Sequence, residues 1–161
     1  MRKFAIVALI IIILLLSGCK TREYTFRNQA KQIERVELLY NPYANSIDVG
    51  GLMENICTLD GESAVTFWEE LYQLDTHYRT TPGRNYGFYV AQVTYKNGDI
   101  EIFGSRHIEF IAKGESPNKV GGYAFKYDDF EELFCKYAGI TSFEEDMAER
   151  EQNATTTVPL E

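Results

Sequence analysis

Histidine is nearly absent from this chain. Its 161 residues hold two, His77 and His107. Any Cys–His or Ser–His nucleophile pair must draw on one of those imidazoles. No Gly-x-Ser-x-Gly elbow and no His-Glu-x-x-His helix accompanies them. Basic charge is also short: 16 Lys and Arg stand against 24 Asp and Glu, a net charge of −8. Nucleic acid demands a positive surface, so no nucleic-acid partner is expected. Cysteine occurs three times, at Cys19, Cys57 and Cys135, too sparsely for a disulfide scaffold. An apolar run long enough to span a bilayer, about 20 residues, is missing as well.

Two clusters invite a metal reading and do not support it. Asp128, Asp129, Glu131 and Glu132 sit at the start of an expected helix, where capping and the helix dipole account for them. Glu144, Glu145 and Asp146 lack the ligand spacing of a calcium loop. The glycine-rich stretch Lys113 to Gly122 lacks the Gly-Lys-Ser/Thr ending of a phosphate cradle. No metal and no cofactor is therefore expected.

What is present begins at the N-terminus. Arg2 and Lys3 precede Phe4 to Leu16, an unbroken apolar run of 13 residues, and the small residues Ser17 and Gly18 follow. That is the layout of a secretory signal, with its positive end on the cytoplasmic side. Leu16-Ser17-Gly18-Cys19 resembles the lipobox of bacterial prolipoproteins. The resemblance implies a diacylglyceryl group on the Cys19 sulfur, cleavage between Gly18 and Cys19, and Cys19 as the new N-terminus. It implies a protein anchored by lipid at the extracytoplasmic face of a membrane. Two acyl chains suffice for stable anchoring, where one holds only marginally. Lys20 stands where an Asp would resemble an inner-membrane retention signal.

Four segments are expected. Residues 1–18 form the signal, 19–32 a lipidated tether, 33–140 an α+β domain, and 141–161 an acidic, largely disordered tail. Without the signal the chain carries 14 basic and 24 acidic residues, a net of −10. Its 11 Tyr and 10 Phe supply apolar area for a modest core. Export permits a bridge between Cys57 and Cys135, but two small buried apolar side chains is the simpler reading.

Periodicity predicts the elements. Ile33 to Tyr40 reads as a strand and Leu52 to Leu59 as a weaker one. Asp60 is expected to cap a helix from Gly61 to Leu74, with Ala64, Phe67, Trp68, Leu71 and Leu74 on one face. Thr76 to Asn85 reads as a loop. Tyr86 to Tyr95 reads as a central strand, turned by Lys96-Asn97-Gly98-Asp99 into Ile100 to Phe103. Gly104-Ser105 is expected to bend or bulge the sheet before His107 to Ala112 continues it. Tyr123 to Lys126 is a last strand, and Asp128 caps a second helix stopped by Gly139. Ser142-Phe143-Glu144-Glu145 has the shape of a capping box, so a short acidic helix can precede a disordered tail from Gln152.

The order predicts an α+β fold, an antiparallel sheet of about four to six strands with two helices on one face. Ile33 to Gly139 resembles uncharacterised small domains on Gram-positive lipoproteins, with their Leu-Asp step into a helix and Lys-Asn-Gly-Asp-like hairpin. That resemblance implies fold and location and no activity.

One loop concentrates positive charge and aromatic surface. His77, Tyr78, Arg79 and Arg84, with Tyr86 adjoining, form a candidate binding loop for an anionic or stacking partner. The plainer reading is a solvated loop whose arginines pair with local acids. Three functions are open: a non-enzymatic module for an envelope protein or wall ligand, a small envelope hydrolase using dispersed carboxylates, or an inhibitor or immunity-type lipoprotein.

Overall fold

Every strand pairing among the described residues is antiparallel. A computed structural model describes residues 24–44, 53–79, 86–116 and 122–156. The strands are β1 (Ile33–Tyr40), β2 (Glu54–Asp60), β3 (Thr76–Tyr78), β4 (Tyr89–Tyr95), β5 (Ile100–Gly104), β6 (Ile108–Ile111) and β7 (Tyr123–Phe125). The helices are α1 (Gly61–Tyr72), α2 (Tyr127–Ala138) and α3 (Phe143–Thr156). Five strands form one sheet in the order β2-β1-β4-β5-β6, and β3 pairs with β7 apart from it. This is the expected α+β fold, with one helix more than expected.

Alternation along β4 sorts the core into two. Tyr89, Ala91, Val93 and Tyr95 join Val36, Leu38 and Phe103 under α1 and α2. Val90 turns the other way and joins Leu39, Tyr86, Ile102 and Ile111 in a smaller cluster. The period of two along a strand dictates this split. The large cluster receives the predicted helix faces: Ala64, Phe67, Trp68 and Leu71 from α1, and Phe130, Leu133 and Phe134 from α2. Gly139 ends α2 with φ +70°, and its N–H donates to the Cys135 carbonyl, as a left-handed C-cap requires.

The Asn97-Gly98 turn forms at the expected place. The Gly98 N–H donates to the Tyr95 carbonyl at 2.8 Å, and Gly98 alone takes a positive φ of +89°. It is therefore a type I turn closed by a glycine bulge rather than a two-residue primed turn. Asn97 Oδ1 accepts from the Asp99 N–H at 3.0 Å and stiffens the turn.

After Gly104 the chain continues the sheet, as expected, by reversing into β6, which pairs with β5 from Ile100↔Ile111 to Phe103↔Ile108. Gly104 permits the reversal, because a Cβ there would fall on the Tyr86 carbonyl oxygen. The central strand starts at Tyr89, not Tyr86. Neither Asp60 nor Asp128 caps with its side chain. Asp60 is the N-cap residue, but Ser63 Oγ donates back to its carbonyl at 2.8 Å. Lys126 holds the N-cap of α2, which leaves Asp128 in the first turn, suited to the dipole. Cys57 and Cys135 are free thiols, the first half-buried and the second buried. Burial pushes the Cys135 thiol up to about 11, as suits an inert core residue.

Two larger corrections concern the ends. The stretch read as a tether is docked from Tyr24 onward. Phe26 stacks on Phe103 with centroids 5.5 Å apart and meets Trp68 edge-on at 5.5 Å. At the other end, a helix extends through Gln152 to Thr156 where disorder was expected. Phe143 anchors it, 2% exposed and stacked on Tyr89 at 3.8 Å. Leu16, Ser17, Gly18, Cys19 and Arg84, and residues 117–121 of the glycine-rich stretch, lie outside the described residues.

Candidate functional site

The expected binding loop is in part a strand. Thr76, His77 and Tyr78 pair with Phe125, Ala124 and Tyr123. Pairing on a narrow two-stranded ribbon leaves His77, Tyr78 and Arg79 exposed. Tyr78 closes edge-on against Tyr123 at 5.6 Å, and Gly122 makes room, since a Cβ there would lie 2.8 Å from the Tyr78 ring. The Arg79 N–H donates to the Gly122 carbonyl, and its Nη1 donates to the Arg106 carbonyl at 2.9 Å. Arg79 is thus fastened to the β5–β6 turn, which carries a second exposed arginine, Arg106.

Beneath that turn lies a buried polar set. The Tyr86 hydroxyl donates to the Glu109 carboxylate, and His107 Nε2 stands 4.0 Å from the same Glu109 oxygen. His107 is 3% exposed and Glu109 5%. Burial, and then the charge of Arg79, hold the His107 imidazole below its ordinary value of 6.5. It is neutral at neutral pH, so the contact is no ion pair. A general base must reach its substrate's proton, and this imidazole is sealed from solvent. Cys57 and Cys135 lie in the large core cluster, whereas Tyr86 belongs to the small one on the opposite sheet face. Among the described residues no group of three or more His, Cys, Asp or Glu side chains is arranged to hold a metal ion.

Arg106 also lines a cleft of about 220 Å³ with Ser105, Phe88, Tyr89, Tyr127 and Phe143. Aromatic walls with one arginine among the lining residues suit an apolar body bearing an anionic end.

The second polar centre was not visible in the sequence. Glu101, on β5, is fully buried in the large core. Its Oε1 accepts from the Tyr24 hydroxyl at 2.7 Å and from the Arg27 N–H at 3.4 Å. Its other oxygen accepts from the Tyr95 hydroxyl, which in turn accepts from Trp68 Nε1 at 3.1 Å. Burial raises the Glu101 carboxyl above its ordinary 4.5, and the tyrosine hydrogen bonds hold it back in part. Burial, then the nearby Glu101 charge, raise both the Tyr24 and the Tyr95 hydroxyl, so both remain donors. This centre stitches the N-terminal segment to the sheet. An acid in phase with apolar residues on a strand is its only sequence signal, and that signal names no partner. Beside the stitch, Tyr24, Phe26, Tyr72, Leu74, Asp75 and Thr76 line a shallow cleft of about 380 Å³.

Compared with family models, with curated proteins and with solved structures, the chain matches none.

Proposed function

We propose that this protein is a lipoprotein held through Cys19 at the extracytoplasmic face of a membrane, and that its domain is a non-enzymatic binding module for an envelope protein or wall ligand. The observation that carries the location is the Leu16-Ser17-Gly18-Cys19 ending of a 13-residue apolar run. The binding role is supported by the aromatic cleft at Arg106, with Arg79 locked beside it. A guanidinium lining such a cleft recognises carboxylate or phosphate in a fork.

Two measurements test the reading. Cells fed an alkyne fatty acid are expected to label the protein, and Cys19→Ala to abolish both the label and the membrane fractionation. A Cys19→Ala chain that remains in membranes at full processed mass removes the anchor. A photo-crosslinking residue at Ser105 is expected to capture one stoichiometric envelope component, with capture lost in Arg106→Ala. Capture that survives Arg106→Ala removes the cleft from the function.

A further inference from the structure

An aromatic row runs along the side of the domain where the chain enters from the anchor. Tyr78 meets Tyr123 at 5.6 Å, Tyr123 meets Tyr24 at 5.6 Å, Tyr24 meets Phe26 at 5.2 Å, and Phe26 meets Tyr72 at 4.9 Å. The two ends of the row are open to solvent: Tyr72 is 52% exposed and Tyr78 49%. We propose that this row faces the lipid bilayer, with Tyr72 and Tyr78 seated in its headgroup layer. The inference rests on the lipoprotein reading and adds to it the surface that meets the membrane.

The connector decides the orientation. Tyr24 is bound to the core by its hydroxyl and by its N–H, which donates to Thr76 Oγ1 at 2.9 Å. Only residues 20–23 separate it from Cys19. Fully extended, the step from Cys19 to Tyr24 reaches about 17 Å. A domain of this size is roughly 35–40 Å across. The connector is shorter than the body it holds, so the body cannot roll its far side onto the lipid. The Tyr24 side stays against the membrane.

Chemistry agrees with geometry on that side. Tyrosine is favoured at the membrane–water boundary, where its ring is apolar and its hydroxyl is wet. Charge is divided in the same sense. Residues 20–32 carry Lys20, Arg22, Arg27 and Lys31 against the single acid Glu23, in a chain that is acidic elsewhere. Helix α3 carries Glu144, Glu145, Asp146, Glu149 and Glu151, and docks at the other end of the strands, against Tyr40, Tyr89 and Glu54. Acidic headgroups would attract the first region and repel the second.

The test uses the full lipidated protein reconstituted in phosphatidylcholine vesicles, treated with a water-borne tyrosine-nitrating reagent and mapped by mass spectrometry. Tyr43, 53% exposed and beyond the Tyr40 end of β1, is the internal reference. Tyr72 and Tyr78 are expected to react several-fold more slowly than Tyr43. Equal rates at all three, with the lipid on Cys19 present in the same spectra, overturn the orientation and leave the lipoprotein reading standing. A bare Cys19 or an uncleaved leader in protein from its host overturns both. Protection of Tyr72 and Tyr78 in native envelopes but not on pure lipid assigns the surface to a protein and overturns the lipid proposal.

Discussion

Glu101 shows how much one side chain decides here. An ionised carboxylate out of water is costly unless it is well hydrogen-bonded. Two tyrosine hydroxyls and a backbone N–H meet it, yet burial still raises its carboxyl above the ordinary range. The sign of the pH effect follows. Between the unfolded value of 4.5 and the raised folded value, the folded state holds a proton the unfolded chain has lost. Glu101 therefore contributes stability that is fully present below 4.5 and is lost as pH rises through the folded value. Glu101→Gln removes that slope. Urea unfolding at about pH 5 and about pH 8 is expected to show the variant gaining on the wild type as pH rises. An identical offset at both pH values would show that Glu101 does not titrate between them. Cys135 is a simpler case, a thiol raised by burial and packed in the large core cluster.

Helix α3 illustrates the same lesson one level up. Its composition is acidic and reads as solvated tail. Its docking depends on a few residues on one side. Phe143 stacks on Tyr89, the Tyr89 hydroxyl donates to Asp146 at 2.7 Å, and Arg150 reaches Asp146 and Glu54 while lying 4.4 Å over the Tyr40 ring. Its first turn is satisfied twice: Ser142 Oγ accepts from the Glu145 N–H at 3.2 Å, and Glu131 of α2 accepts from the Phe143 N–H at 2.7 Å. Phe143→Ala is expected to cost about 3–5 kcal/mol, as for a buried aromatic. Ser142→Ala should cost about 1 kcal/mol, the worth of an N-cap. Thermal melts followed by circular dichroism check both, and an unchanged midpoint for Phe143→Ala would falsify the docking. The Ser142 cap could be read from the sequence, because a cap is local. The docking could not, because Tyr89 lies 54 residues away.

The whole molecule extends further toward its N-terminus than its strand pattern suggests. Tyr24 and Phe26 belong to the core although they precede the first strand. A chain beginning at Tyr24 is expected to keep the full stability. One beginning at Asn28 loses both aromatics and leaves Glu101 short of two donors. That loss should exceed about 4 kcal/mol, the scale of deleting a buried aromatic. Equal denaturation midpoints for the two chains would reduce the N-terminal segment to a tether after all. The same docking leaves only residues 20–23 between Cys19 and the body, the short connector on which the proposed membrane orientation rests.

Sequence by itself determined what neighbouring residues decide. The faces of α1 and α2, the Asn97-Gly98 turn, the Gly139 stop and strand β1 follow from periodicity and turn chemistry within a few positions. Tertiary structure decided what depends on distant partners. It placed β3 beside β7, reversed β6 against β5 through Gly104, seated Phe143 on Tyr89, and gave Glu101 its tyrosines. The reason is the same in each case. A hydrogen bond or ring contact between residues tens of positions apart leaves no local pattern, because the energy that selects it appears only once the sheet has brought them together.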